Sequence, residues 1–492
     1  MILHRLAPLG PAIAFVLVAW NMPEVARLEA YDQQRLLQLC CLVAGTTLIF
    51  AMPSMRRQAA ELLLAMRIRD LVAISLLVVL GALSAVRAPF PEWALLEWAL
   101  FVQLAGLTLT VCAVHAMAPE MASKTLGYAI GFSCLAYATS LTSAYIAMLL
   151  TDKTVRLEEL YPHFSNPRYP GQMITMTVPV LAWLAISASK GSRVWTTTGA
   201  VLIAFTIGCG TRGTWLALSV STAVLLVLSF WANARSCFRA QANILLQGLV
   251  LYTAGMFALP RYLGLETISG GSRALSIETL TDDSARFELW RNAMEITAQS
   301  PWLGIGPGHF AAVDSPFGNH PHNSLLQFST EWGVPATALI VWCAVAISMH
   351  LLLRLTSTHA APEQQPKSST IHGALLAALT GAFVHSLVDG ITVIPTSQVL
   401  LFLLVGWSAG SVRQRNAVTP RRSRIGRTYM AWWATGSMIC LLASGSILAA
   451  KATHQLLHME TLRESRQGHL PRFWIQGDIG PCPHPNCRAP NQ

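Results

Sequence analysis

The chain has 492 residues, of which 53% are hydrophobic and 12% charged, and its formal net charge is +10. Soluble globular proteins carry about 25% charged residues, so this composition excludes an ordinary soluble protein and makes the bilayer the natural solvent. In that setting the positive excess reads as basic loops retained on the cytoplasmic side. It does not read as affinity for nucleic acid, and no nucleic-acid partner is expected.

Apolar stretches are centred on residues 8–20, 34–52, 70–86, 94–117, 127–150, 172–189, 194–210, 213–232, 242–259, 334–353, 371–388, 394–411 and 429–450. Each can cross a hydrocarbon core of about 30 Å as a helix. The first is interrupted by Pro8 and Pro11 and follows His4 and Arg5 with no small-x-small cleavage site, so it reads as a retained span. The expected fold is an all-α polytopic membrane protein of about 12–13 transmembrane helices with one long, partly helical periplasmic loop. Four segments follow: an N-terminal bundle over residues 1–259, the loop over 260–333, C-terminal spans over 334–450 and a periplasmic tail over 451–492. Most of the ten cysteines lie inside spans, where a thiol packs as a small apolar group.

Alternating the spans from a cytoplasmic N-terminus gathers eighteen basic residues on one side, including Arg56, Arg57, Arg67 and Arg69 in one loop and Arg421, Arg422, Arg424 and Arg427 in another. Short outer loops hold seven: Arg27, Arg35, Arg87, Lys153, Arg156, Arg168 and Arg212. That asymmetry orients the chain, and it puts the long loop and the tail outside, where no ATP is available. Group transfer there must draw on a preactivated donor, of which a lipid diphosphate in the outer leaflet is the obvious kind.

The chemistry-capable residues cluster on this outer side. Asn166, Pro167 and Arg168 lead into a span, and Arg168 is either a phosphate contact or an anchor. Arg212 sits in a very short turn boxed by Gly210 and Gly213, a context that brings backbone close to something. In the long loop, Asp282, Asp283 and Ser284 precede an N-capped helix carrying Arg286 and Arg291, with Phe287, Trp290 and Met294 as its expected buried stripe. It stops before Pro301, and Gly304, Gly306 and Gly308 then permit tight turns without forming a complete phosphate-cradling loop.

Next come His320, Pro321, His322 and Asn323. A helix starting near Pro321 would align Asn323, Gln327 and Glu331 on one face, with His322 in its first turn. Two imidazoles flanking a proline on the arginine side favour a functional role for at least one of them. Zinc is the rival reading, but two histidines two apart lack the usual further Cys, Asp or His ligands, so no metal and no cofactor are expected. His385 and Asp389, at i, i+4 where a span meets the outer surface, form either a structural hydrogen bond or a polar wall of the site. In the tail, residues 469–477 suggest an interfacial aromatic patch, while Cys482 and Cys487 are either a small disulfide or free thiols.

The ordered combination of the Arg-Gly-x-Trp turn at Arg212, the Ala-Arg-x-x-x-Trp helix at Arg286 with its following Pro-x-x-Gly-x-Gly, and the His-Pro-His-Asn segment leading to Glu331 and Gly333 resembles the O-antigen ligase family over residues 160–410. The superfamily also includes O-antigen polymerases and protein O-oligosaccharyltransferases. The resemblance implies a metal-independent, inverting glycosyl transfer from an undecaprenyl diphosphate carrier at the outer face of a Gram-negative inner membrane. It implies Arg212 and Arg286 as diphosphate ligands, with Arg291 and Arg168 as further candidates, and His322 as catalytic base with His320 as its competitor. Asn323, Gln327, Glu331, His385 and Asp389 would support them.

The chemistry suits those residue types. Arginine stays charged in a partly apolar site and binds phosphate oxygens bidentately, and histidine accepts a proton near neutral pH. The Asn-Pro-Arg-x-x-x-Gln entry at residue 166 and the His-Ser-Leu-Val-Asp-Gly run at 385 look more like ligases, which makes the core oligosaccharide of lipid A the expected acceptor among surrounding membrane lipids. A protein acceptor is the alternative, although that branch usually carries a larger soluble domain after the last span. A transporter would show internal repeats, and none is evident. A scaffold without catalysis would leave the arginine and histidine cluster unexplained.

Overall fold

All thirteen apolar stretches fold as helices in the computed structural model, which describes residues 6–22, 30–188, 191–270, 284–312, 318–356, 365–412, 424–457 and 472–474. The helical state follows from the solvent, since hydrocarbon offers backbone N–H and C=O groups no partner outside the segment itself. In chain order the helices are α1 (Gly10–Ala19), α2 (Ala30–Ala51), α3 (Pro53–Leu64), α4 (Ile68–Arg87), α5 (Pro91–Met117), α6 (Pro119–Thr151), α7 (Arg168–Ser187) and α8 (Ser192–Gly208). They continue with α9 (Arg212–Leu228), α10 (Arg235–Leu251), α11 (Ser284–Gln299), α12 (Ser324–Trp332), α13 (Val334–Thr356), α14 (Gln365–Ser386), α15 (Pro395–Val412) and α16 (Arg424–Ile447). Among the described residues nine helices are long and apolar enough to cross a membrane. A short parallel ladder pairs Thr154–Arg156 with Glu266–Ile268.

The chain divides into two compact units. The first comprises Met1–Ala30, Val114–Asp282 and Ala346–Arg413. Its centre is α7, buried from Tyr169 to Leu184 because α6, α8, α9, α10, α14 and α15 all pack on it. Helices α8 and α10 approach closely through reciprocal glycines: a Cβ on Gly199 would lie 2.8 Å from Ile244, and one on Gly248 would lie 2.5 Å from Ile203. Small residues at such crossings let dispersion contacts do what the hydrophobic effect cannot do between helices in lipid.

The second unit comprises Tyr31–Ala113, Asp283–Val345 and Gln414–Gln492. Here α2, α5 and α16 are joined by one buried amide. Gln103 accepts from Thr46 Oγ1 at 2.5 Å and donates to Leu441 O at 2.7 Å and Ser444 Oγ at 2.9 Å. Phe101 of α5 meets Phe328 and Trp332 of α12 edge-on at 5.6 and 5.5 Å, and Trp332 fills the space left by Gly81 of α4.

Two expectations change here. Arg35 is not a loop residue: it lies within α2 and is fully buried, its guanidinium donating to Gln38 Oε1 and Tyr31 Oη, both at 2.6 Å. Those two acceptors on its own helix let the charge stay inside. The stripe of α11 is also rotated from the expected one. Leu289 and Ala293 are buried with Phe310, whereas Phe287 is 64% and Met294 55% exposed. Of the expected stripe only Trp290 stays partly buried, while Leu289 and Ala293 make the close approach to the neighbouring elements. The capping role expected of Asp282 and Asp283, and the Cys482–Cys487 pair, lie outside the described residues.

Candidate functional site

In the first unit, the candidate residues converge on the N-terminal ends of α7 and α9 and the C-terminal end of α14. Asn166 Oδ1 accepts the Arg168 backbone N–H at 2.9 Å and so starts α7, leaving the Arg168 side chain exposed. Gly171, in the first turn of α7, faces Thr211 and Thr214 so closely that a side chain there would strike the Thr214 hydroxyl. Gln172 accepts from Ser397 Oγ at 2.8 Å. Arg212 is the first residue of α9.

The glycines around Arg212 do what their spacing suggests. Gly210, at φ +70°, abuts the backbone of Gly270, and a Cβ on Gly213 would lie 2.9 Å from Nε2 of His385. That imidazole is buried and well tethered. Thr175 Oγ1 lies 3.0 Å from Gly171 O and 2.8 Å from His385 Nδ1, so its hydroxyl ties the imidazole to the first turn of α7. His385 Nε2 faces Asp389 Oδ2 at 3.6 Å, and Asp389 Oδ1 accepts from the Gly390 N–H at 2.7 Å.

In the second unit, α11 and α12 hold the histidine segment. Trp290 donates its indole N–H to Pro321 O at 2.8 Å, fixing the carbonyl between His320 and His322. Arg286 is one turn before Trp290, so both lie on the same face of α11. Arg291 is 61% exposed and forms ion pairs with Glu288 and, at 3.8 Å, Glu295. The two imidazole rings lie 4.1 Å apart between centroids with their planes tilted by 52°, His320 buried and His322 partly exposed.

His322 adopts φ +50°, a left-handed conformation unusual for a non-glycine residue. The helix does not begin at Pro321 as expected. It begins at Ser324, because Asn323 is extended and caps it, its Oδ1 accepting from Leu325 N at 3.0 Å and Leu326 N at 3.2 Å. His322 is therefore held just outside the helix instead of in its first turn. Gln327 and Glu331 are buried on α12, one turn apart.

The glycine-rich stretch is a helix stop. Gly304 and Gly306 have φ of +66° and +113°, which lets Ile305 N and Gly306 N donate to Thr330 O and Glu331 O at 2.9 and 3.0 Å. These bonds satisfy carbonyls that the end of α12 would otherwise leave open. His309 follows, buried, with its Nε2 accepting the Phe90 N–H at 3.1 Å and its Nδ1 meeting Pro307 O at 3.0 Å, an arrangement that requires the neutral Nδ1–H tautomer. Burial pushes this imidazole below its usual range; the Pro307 carbonyl and Glu331 offset part of that, and Arg472 adds to it.

The largest surprise is the tail. Residues 472–474 do not form an interfacial aromatic patch: Arg472, Phe473 and Trp474 are all buried in the second unit. Arg472 makes a two-pronged ion pair with Glu331, Nη1 to Oε1 at 3.0 Å and Nη2 to Oε2 at 3.1 Å, and its Nη2 lies 3.6 Å from Glu97. Burial works against the Arg472 charge, but the two carboxylates outweigh it and hold the guanidinium above its usual range. Phe473 lies under the Arg35 guanidinium at 5.4 Å, and Trp474 donates to Gln455 at 3.2 Å. Sequence reading missed this cluster. Glu97, an acid inside an apolar run, signals that a partner must exist, but not that it comes from 375 positions away.

Comparison with known families bears on what these residues do. The family model described as O-antigen ligase matches residues 174–341. The chain carries an O-antigen ligase family domain. No curated protein matches the chain. The ligase-family segment includes Arg212, Arg286, Arg291, His320, His322 and Glu331, while Arg168, His385, Asp389 and Arg472 lie beyond its ends. That domain supports, at superfamily level, a membrane glycosyltransferase-type enzyme acting on a lipid-linked glycan and an acceptor.

Proposed function

We propose that the protein transfers O-antigen polysaccharide from undecaprenyl diphosphate to the core oligosaccharide of lipid A, at the periplasmic face of a Gram-negative inner membrane. The observation that carries this reading is the setting of His322. It is partly exposed, at φ +50°, immediately before a capped helix, and beside a proline carbonyl anchored by Trp290. Backbone held in such a sparsely populated region costs about 1–3 kcal/mol and persists where surrounding contacts over-determine it, commonly at functional sites. The excess of basic residues on the opposite loops supports the periplasmic assignment.

In this reading an acceptor hydroxyl attacks the anomeric carbon of the donor sugar. His322 takes the hydroxyl proton, a new glycosidic C–O bond forms with inversion, and the bond to the diphosphate breaks with its electron pair leaving on phosphate oxygen. Arg212 and Arg286 stabilise that developing charge. Arg212 has the added advantage of starting a helix, whose dipole favours negative charge at that end. Arg291, engaged with Glu288 and Glu295, and exposed Arg168 take secondary roles. The buried His385–Asp389 pair fixes the wall behind Gly213, and Asn323, Gln327 and Glu331 hold α12. His320, being buried, supports the ring of His322 and does not itself receive the proton. This reading calls for no metal, which chelation tests.

Disruption of the gene, followed by complementation with wild type or with Arg212→Ala, Arg286→Ala or His322→Ala, tests the proposal through the lipopolysaccharide profile. Loss of the polysaccharide ladder with accumulation of long-chain lipid-linked glycan in each variant is expected. Single-repeat lipopolysaccharide would instead indicate a polymerase, an intact ladder with unglycosylated protein would indicate a protein transferase, and full activity in all three variants would refute the site.

A further inference from the structure

The Arg472 guanidinium touches both ends of the segment that carries His322. Both terminal nitrogens reach the Glu331 carboxylate in the last turn of α12, and Nη1 also donates to Asn319 O at 3.5 Å, the carbonyl immediately before His320. The clamp therefore brackets residues 319–331, with the two imidazoles and the Asn323 cap between its jaws. Glu331 is braced in turn: its Oε1 accepts from Phe310 N at 3.4 Å, and its backbone carbonyl accepts from Ser84 Oγ at 2.9 Å and Gly306 N at 3.0 Å. Arg472 itself is seated by its backbone N–H donating to Gly308 O at 3.0 Å and by its burial with Phe473 and Trp474.

We propose that Arg472, in the segment after the last helix, is a positioning residue that sets the His320–Pro321–His322 backbone for transfer. The inference rests on the reading of His322 as the base, and it assigns a role in turnover to a part of the chain outside the ligase-family match. A residue with a left-handed φ relaxes unless both flanks are held. Trp290 holds the middle at Pro321, and Arg472 holds the ends. A planar guanidinium can satisfy a carboxylate with two parallel donors and still reach a carbonyl, whereas the point charge of lysine can hold the carboxylate but cannot reproduce the fork. The position should therefore discriminate between the two cations.

The test is steady-state transfer by purified full-length protein. The donor is lipid-linked O-antigen extracted from the gene-disrupted strain, the acceptor is its unligated lipid A core, and rates are normalised to monodisperse protein. His322→Ala, Arg472→Lys, Arg472→Ala, Glu331→Gln and the Arg472→Ala/Glu331→Gln double variant are compared. His322→Ala alone judges the base assignment: full activity there defeats that reading whatever Arg472 does.

With the base in place, Arg472→Ala is expected to lower kcat about 10- to 100-fold, the scale of a small misplacement of a reacting group, with the donor KM little changed. Arg472→Lys should fall between it and wild type, and the double variant should be no slower than the slower single. Wild-type kcat per mole of monodisperse Arg472→Ala, or a raised KM at unchanged kcat, would overturn the proposal. If Arg472→Ala does not accumulate, the lysine variant decides: reduced kcat supports positioning, and wild-type kcat overturns it.

Discussion

At the scale of single residues, the second unit shows how ionisable groups are kept inside a membrane protein. Arg472 is enclosed by Glu331 and Glu97, and Arg35 adds its field at Glu97. His309 beside them takes the opposite course and stays neutral, its Nε2 already accepting from Phe90. Its folded-state value is depressed, so the unfolded chain binds a proton more readily as pH falls below the ordinary histidine value near 6.5. Stability is thus unaffected above that pH and declines below it until the folded-state value is passed. A His309→Gln variant should show a shallower loss of thermal stability in detergent between neutral and mildly acidic pH than wild type. An unchanged slope would mean that another group sets it.

At the scale of elements, what composition and periodicity determine is distinct from what local capping determines. The apolar stretches were legible because hydrocarbon demands long uninterrupted helices, whatever packs beside them. The start of α12 was not, because Asn323 competes for the first turn with its side chain and so excludes His322 from the helix. The buried stripe of α11 was misplaced for a related reason: large apolar residues mark a face only when space faces it, and close packing of α11 on α12 selects Leu289 and Ala293. Asn323→Ala should remove about 1 kcal/mol of stability, while Asn323→Ser, which restores an acceptor, should lose much less. Because the cap abuts His322, the alanine variant should also lose turnover and the serine variant retain it, as transfer assays and thermal melts on the same preparations would register.

At the scale of the whole molecule, the residues singled out from sequence fall into two sets by unit. Arg168, Arg212, His385 and Asp389 belong to the first, and Arg286, Arg291, His320, His322, Asn323, Gln327 and Glu331 to the second. Within each, motif spacing foresaw the close approaches at Gly210 and Gly213 and the shared helix of Gln327 and Glu331. It could not foresee Arg472, since its partners are set by tertiary packing and the surrounding Phe473 and Trp474 look equally suited to an interface.

Metal-independent glycan transfer with His322 as base is the proposal on which the other residue roles depend. Purified wild type and His322→Ala, each treated with EDTA and given undecaprenyl diphosphate-linked O-antigen and lipid A core, test it most directly through the rate of ligated product. The wild type should keep its full rate under chelation and the variant should be slower by about 10²- to 10⁴-fold. Equal rates in the two proteins, or wild-type transfer that returns only when a divalent metal is added back, would contradict it.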